Sequence, residues 1–384
     1  MMPRVYMGLT GLAALSMSAL AAGPATGATL FSQTNLVSDL PGVAAHQDAD
    51  LVNPWGIDFG PAGPIWISDN GVSKSTIYTG NGTKVAVGGF PSIGVPGNPT
   101  GVVFNNTAGF QVEPGKKAAF IFGGEDGSIS AWNPLNPSAT TKVLPSAAVY
   151  KGVTVGTVPL GSLGQIPLLY AANFNSGQVD VFGSDFSKIG SFTDNTVPAG
   201  YAPFNVQNIG GQLYVTFAQQ DVAGAGHDDI AGPGHGFIDI FNLDGTLAKR
   251  FASEGPLDSP WGLAMAPAGF GDVGGDLLVG NFGDGTINVF DSNGTFKGKL
   301  LGKDGNPLTI EGLWGLKFGD GAPNTRNGPA DTLFFTAGIA GPDAVEDHGL
   351  FGSIRVVPEP GTYALLGGGL AFLVMLRKRI SNSV

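Results

Sequence analysis

The chain contains no cysteine among its 384 residues and few charged side chains. The absence of cysteine excludes disulfides, thiolate metal sites and a cysteine nucleophile, so stability must come from packing and strand pairing. Charged residues make up 13% of the sequence, about half of the ~25% that is usual in soluble domains. Basic clusters are scarce and the net charge is −11, which argues against a nucleic-acid partner because phosphate binding depends on Lys and Arg.

Sequence motifs of familiar active sites are also missing. There is no Gly-x-Ser-x-Gly turn, no phosphate-binding loop, no His-Glu-x-x-His pair and no EF-hand spacing. The sequence therefore gives no direct indication of catalysis.

Glycine and proline are abundant, with 63 and 27 residues. Aromatic and β-branched runs recur between them, whereas disordered chains lack such apolar segments. This pattern predicts many short strands joined by tight turns.

The first 28 residues have the order of a secretory signal peptide. Arg4 precedes an apolar stretch from Val5 to Ala22, and small residues follow. Cleavage after Ala21 and cleavage after Ala28 both fit. A retained membrane anchor is the alternative.

The C-terminus carries a Pro-Glu-Pro motif, a short apolar run over residues 362–376 and a basic end. The basic cluster places everything before the run on the outer side of the membrane.

In this order of parts, the tail over 358–384 resembles the PEP-CTERM sorting signal. The resemblance implies recognition and cleavage by an exosortase-type protease, with membrane attachment through the C-terminal helix before processing, and a cell-surface or extracellular location afterwards. A plain tail anchor is the alternative. The motif residues are Val357, Pro358, Glu359, Pro360, Arg377, Lys378 and Arg379.

Between these ends, a four-strand unit recurs six times, at intervals of 45 to 57 residues. The apolar content falls from the first strand of each unit to the fourth, as in a propeller blade. The sequence thus predicts an all-β fold, a six-bladed β-propeller over residues 29–357, with a β-sandwich as the alternative. The strand starts are Pro54, Pro99, Gly152, Pro203, Pro260 and Leu313.

The sixth unit lacks its fourth strand, because the sorting signal follows directly on the segment 352–357. The segment 30–37 at the mature N-terminus supplies a suitable strand, and closure by this N-terminal strand would remove exposed edges. The rhythm of the units resembles NHL-type and lactonase-type six-bladed propellers, and together with the tail it resembles PEP-CTERM propeller proteins. That family label implies no particular activity.

One face of the ring is predicted to carry any binding site, because the loops entering strand one and those joining strands two and three lie together. Recurring Asn residues there also fit a plain turn-forming role. No metal ligands are predicted, although Asp and Asn oxygens would suit calcium. The candidate binding residues are Trp55, Asp69, Asn70, Asn173, His235, Trp261, Asn281, Trp314 and His348.

Two longer insertions, residues 219–236 and 337–349, fall on this face in the fourth and sixth units. They contain three of the four histidines. The insertions are expected to lean together over the centre of the ring, which would bring His235 near His348. The alternative is that each histidine only caps a strand turn.

The sequence leaves three functions open. The first is a surface or extracellular-matrix binding and scaffold module with a glycan or protein partner. The second is a metal-dependent hydrolase of the lactonase type, suggested by the six-unit rhythm and the acidic loops. The third is a purely structural exported propeller.

Overall fold

A computed structural model describes residues 28–134, 136–159, 161, 164–221, 227–341 and 346–358. All but the last residue of the predicted signal peptide lies outside this range. So do the apolar run 362–376 and the sorting residues Glu359, Pro360, Arg377, Lys378 and Arg379. The described residues include no helix that is long and apolar enough to cross a membrane.

The described chain folds as a six-bladed β-propeller, and its short 3-10 turns include Asn70–Val72 and Gly271–Val273. Two strands precede the first complete blade: β1 (Leu30–Ser38) and β2 (His46–Gln47). Blade one comprises β3 (Pro54–Asp58), β4 (Ile65–Asp69), β5 (Lys74–Tyr78) and β6 (Ser92–Gly94).

Blade two is interrupted by a small hairpin, which the sequence did not indicate. Its chain runs through β7 (Pro99–Phe104), the hairpin β8 (Gln111–Glu113) and β9 (Lys116–Lys117), then β10 (Phe120–Gly124), β11 (Ile129–Trp132) and β12 (Thr140–Val143).

The next three blades are simple antiparallel meanders of four strands. Blade three comprises β13 (Tyr150–Pro159), β14 (Gln165–Asn173), β15 (Gln178–Phe182) and β16 (Lys188–Phe192). Blade four comprises β17 (Tyr201–Ile209), β18 (Gln212–Gln219), β19 (Gly236–Asn242) and β20 (Leu247–Ser253). Blade five comprises β21 (Pro260–Met265), β22 (Leu277–Asn281), β23 (Ile287–Phe290) and β24 (Phe296–Lys299).

Blade six is assembled from both ends of the described chain. After β25 (Leu301–Gly302) it contains β26 (Leu313–Phe318), β27 (Leu333–Ala337) and β28 (Leu350–Val356). Strand β1 pairs antiparallel with β28 in the outer position, with Phe31 opposite Val356 and Ser38 opposite Leu350. Strands β2 and β25 extend β1 on its far side in parallel registers.

The innermost strands approach one another closely because five of them carry glycine at one equivalent position. A Cβ on Gly56 would lie 2.6 Å from the Thr100 carbonyl oxygen, and one on Gly101 would lie 2.6 Å from the Val153 amide nitrogen. Real side chains do not fit such gaps, so glycine is required for the strands to meet around the axis. The five glycines are Gly56, Gly101, Gly152, Gly262 and Gly315. In blade four Asn205 takes this place, and its amide donates to the Trp261 carbonyl at 2.7 Å.

Candidate functional site

The residue before each of these positions points toward one end of the ring. Three blades place tryptophan there and one places phenylalanine, and the four side chains pack together across the axis. We call Trp55, Phe204, Trp261 and Trp314 the tryptophan layer, and the ring surface above it the tryptophan end. Trp55 stacks on Trp314 with 3.5 Å between ring centroids, and Trp261 meets Trp314 edge-on at 5.8 Å. All four side chains are buried, so they lie beneath the predicted face rather than on it.

Blade three places a lysine at the equivalent position. The Lys151 side chain is only 2% exposed, and its Nζ lies 4.8 Å from the centroid of the Trp55 ring. It forms an ion pair with Glu125 at 2.5 Å. Glu125 also accepts a hydrogen bond from the Asn70 amide at 2.9 Å. A buried ammonium group is costly unless it is paired in this way.

A second carboxyl group binds the tryptophan layer from the insertion of blade six. Glu346 accepts a hydrogen bond from Trp314 Nε1 at 2.6 Å and another from the Asn53 amide at 3.2 Å. Trp55 Nε1 in turn donates to Asn53 Oδ1 at 2.9 Å. Burial raises the pKa of Glu346 to about 7, against the opposing effect of these hydrogen bonds. The nearby negative charge of Glu125 acts in the same direction as burial.

The insertions of blades four and six each reach the group formed by Lys151, Glu125, Asn53 and Glu346, which we call the Lys151 cluster. Asp228 of blade four lies 3.7 Å from Lys151 Nζ, while Glu346 of blade six is close enough for Lys151 to lower its pKa. The neighbouring Asp229 is half-buried, and burial raises its pKa. Side chains from five blades therefore converge on the centre of the tryptophan end.

The predicted polar residues at the ends of second strands are held within their own blades. Asp69 is buried and accepts a hydrogen bond from the Thr76 amide at 2.7 Å, and burial raises its pKa well above the usual range. Asn173 donates to Asp180 at 3.0 Å and accepts from the Ser176 amide at 3.2 Å. Asn281 donates to Asp284 at 3.0 Å and to the Pro256 carbonyl at 2.9 Å. Among these residues, only Asn70 contacts the Lys151 cluster, through Glu125.

The two predicted histidines have separate partners. His348 Nδ1 lies 2.6 Å from the Asp39 carboxylate, and His235 Nδ1 lies 2.8 Å from the Ile230 carbonyl oxygen. Both backbones also contact the turns that enter inner strands: the His348 carbonyl accepts from Asn53, and the His235 carbonyl accepts from Ser259. Their proximity across the face stays a prediction.

Within the described part of the chain, no three His, Asp or Glu side chains are arranged to hold a metal ion.

Sequence reasoning missed Lys151, Glu125, Asn53 and Glu346 as a group. Lys151 could have been found, because Tyr150-Lys151-Gly152 aligns with Pro54-Trp55-Gly56 when the third repeat is started two residues earlier. The other three come from turns of different blades, and no local pattern marks their meeting.

Comparisons with known proteins identify the C-terminal tail. The family model of the PEP-CTERM protein-sorting motif matches residues 356–379. The motif implies export and exosortase processing, with delivery to the cell surface or the extracellular space.

The propeller body has relatives in a giant virus. One uncharacterized protein of Acanthamoeba polyphaga mimivirus is 35% identical over 336 residues, which is 83% of this chain and 79% of the viral protein. A second from the same virus is 34% identical over 319 residues, or 77% of this chain and 80% of its own. The chain belongs to the family of these viral proteins. Because the aligned lengths far exceed the sorting motif, the resemblance within this family lies mainly in the propeller.

Several solved propellers have a similar arrangement of the chain. A streptogramin B lyase is 12% identical with a TM-score of 0.48, covering 85% of this chain and 97% of its own. A virginiamycin B lyase from Staphylococcus aureus, solved with quinupristin, is 12% identical with a TM-score of 0.49. The match covers 85% of this chain and 99% of the lyase chain. A luciferin-regenerating enzyme is 13% identical with a TM-score of 0.46. The match covers 81% of this chain and 94% of the enzyme chain.

Proposed function

We propose that the protein is an exported binding and scaffold module, displayed at the cell surface or in the extracellular matrix, which holds a glycan or protein ligand at its tryptophan end. The sorting motif at residues 356–379 supports export to the cell surface or the extracellular space. The binding role is supported by one observation above all, the convergence of two insertions on the buried Lys151 cluster.

Charged groups are rarely placed at the centre of a fold without a reason. A buried lysine and a carboxyl group with a pKa of about 7 both cost folding free energy, and such perturbed groups concentrate at functional sites. Loops that differ between blades are also where a propeller acquires its binding specificity. Both features occur here at the same end of the ring.

The charge of this end indicates which ligands suit it. Lys151 is already neutralised by Glu125, and the surrounding carboxylates include the exposed Asp228 and Asp347. An acidic surface attracts cationic groups and repels anionic ones. The ligand is therefore expected to bear amines or guanidinium groups, as an amino-sugar polymer or a basic protein segment does.

Binding of model polymers to the processed protein tests this proposal. Chitosan oligosaccharide is expected to bind with an affinity that falls as salt is added, and dextran sulfate is expected not to bind. The double variant Asp228→Asn/Asp347→Asn should weaken chitosan binding several-fold. Asp331→Asn is the matched control, because Asp331 is exposed before β27 at the opposite end of the blade.

Two results would contradict the proposal. One is equal loss of binding in the control and the double variant. The other is failure of the processed protein to bind either polymer or any component of the native extracellular matrix in a pull-down.

A further inference from the structure

The channel on the other side of the tryptophan layer contains a cavity of about 330 Å³. Inner strands from all six blades line it. Trp261 and the glycine positions bound it at one end, while Asn106 lies at the surface at the other. The cavity therefore opens away from the tryptophan end, and a ligand there would not meet the Lys151 cluster.

Four of the six blades contribute a polar residue to the cavity lining, each two residues beyond the glycine position or its Asn205 equivalent, and we call these four residues the polar ring. Blades one and six contribute Asp58 and Lys317, and blades three and four contribute Thr154 and Gln207. Lys317 Nζ pairs with Asp58 at 2.7 Å, and the second Asp58 oxygen accepts a hydrogen bond from the Phe104 amide at 2.7 Å. The two charges cancel, so the lining carries no net charge.

Several groups of the ring retain hydrogen-bonding capacity. The Gln207 amide makes no side-chain hydrogen bond within the described residues, so its two donors and its acceptor are available. Thr154 Oγ1 accepts from the Asn208 amide at 3.2 Å, which leaves its proton free to donate. Lys317 uses one donor on Asp58 and has two others.

From this geometry we infer that the cavity is a second binding site, for a small uncharged polyhydroxy compound of the size of a monosaccharide. Ligand pockets range from about 300 to 1,000 Å³ and combine apolar walls with a few convergent polar groups, so this cavity suits a small ligand and not a polymer chain. Hydroxyl groups both donate and accept, as the mixed lining requires. A charged ligand would lose its hydration without gaining a counter-charge.

The test is calorimetric titration, supported by ligand-observed NMR, of the processed protein with glucose, galactose and myo-inositol. Glucuronate is the charged probe of matched size. At least one neutral probe is expected to bind more tightly than glucuronate. Gln207→Leu keeps the volume but removes the amide, and it should weaken that binding by about tenfold, since the ligand would lose a hydrogen-bond partner in the cavity.

Gln165→Leu is the matched control, because Gln165 is an exposed residue of β14 outside the cavity. It should leave binding unchanged, and both variants should melt like the parent. A second variant, Lys317→Gln, leaves Asp58 without its cation and should shift preference toward glucosamine, which is cationic. The inference is overturned if no neutral probe binds, if glucuronate binds as well as the neutral probes, or if the two glutamine variants lose binding equally. Failure of chitosan to bind at the tryptophan end would leave these outcomes unaffected.

Discussion

Lys151 occupies a position where blades one, five and six carry tryptophan. Its ammonium group lies on the Trp55 ring and against Glu125, so it replaces an aromatic contact with a charged one. At this position four blades therefore contribute aromatic rings, while blades two and three contribute Thr100 and Lys151. Lys151 lies 3.7 Å from Asp228 of the blade-four insertion, and Glu346 of the blade-six insertion bonds to Trp314.

The first prediction at this scale concerns the Lys151 pair. Lys151→Met should lower the free energy of unfolding by about 3 kcal/mol, because it leaves the Glu125 carboxylate without its cation. The double variant Lys151→Met/Glu125→Gln should recover most of the loss, since it leaves no unpaired charge. Urea denaturation of the three proteins checks this, and a single variant as stable as the parent would contradict it.

The second prediction at the residue scale concerns how the stability of the folded protein depends on pH. The Glu346 pKa is raised from 4.5 to about 7 in the folded protein, so the folded state binds a proton that the unfolded state releases. Stability should therefore fall as pH rises from 4.5 to 7. Asp239, whose pKa burial raises from 3.8 to about 7, acts in the same direction. Glu346→Gln should remove only part of the decline.

Urea midpoints measured across this pH range would show the effect as a difference between parent and Glu346→Gln. The exposed Asp347→Asn serves as the control and should follow the parent curve. Parallel curves for parent and Glu346→Gln would show that Glu346 titrates normally.

The residue scale is also where sequence reasoning was least informative. Tryptophan as the second residue of an inner strand suggested an aromatic binding face, yet Trp55, Trp261 and Trp314 pack against each other around the axis. Their burial depends on six strands meeting, which no local pattern reports. The same is true of Glu346, because its partner Trp314 lies in β26 and its partner Asn53 lies in the turn before β3, far away in the chain.

Among the elements, β1 is the one whose position depends most on distant sequence. Local signals located most strands well. The insertion predicted at 219–236 runs from the end of β18 to the start of β19, and the one at 337–349 runs from the end of β27 to the start of β28, each within one residue. Periodicity and turn residues suffice for this because each meander is local. The hairpin β8–β9 was not predicted, because its strands are too short to show an alternation of polar and apolar residues.

Removal of residues 30–37 tests what β1 contributes. The deletion exposes the edge of β28 and strips the contacts that Phe31 and Val37, both buried, make with the core. We expect a protein that melts many degrees lower than the 29–357 parent and tends to self-associate through the open edge. Gel filtration and thermal melting check this expectation. A truncated protein that stays monomeric and melts within a degree or two of the parent would contradict the proposed role of β1.

For the whole molecule, the sorting motif and the propeller are adjacent, since the match at 356–379 begins at the last residue of β28. Replacing Pro358, Glu359 and Pro360 together by Ala should leave full-length protein in the membrane fraction, because the protease would no longer recognise the tail. Cell fractionation and immunoblotting check this. The matched control is Glu113→Ala/Pro114→Ala in the exposed β8–β9 turn, which should be processed as usual.

The pairing of β1 with β28 also sets an order of events in the life of the chain. The strand synthesised first cannot find its partner until the strand synthesised last is available, more than 300 residues later. Such distant pairing is slow to form, so an emerging chain remains open for the whole of its synthesis. The sorting motif implies that this chain is exported, and late closure of the ring is compatible with passage across a membrane. Completion of the ring therefore waits for β28, whose last residue is the first residue of the match to the sorting motif.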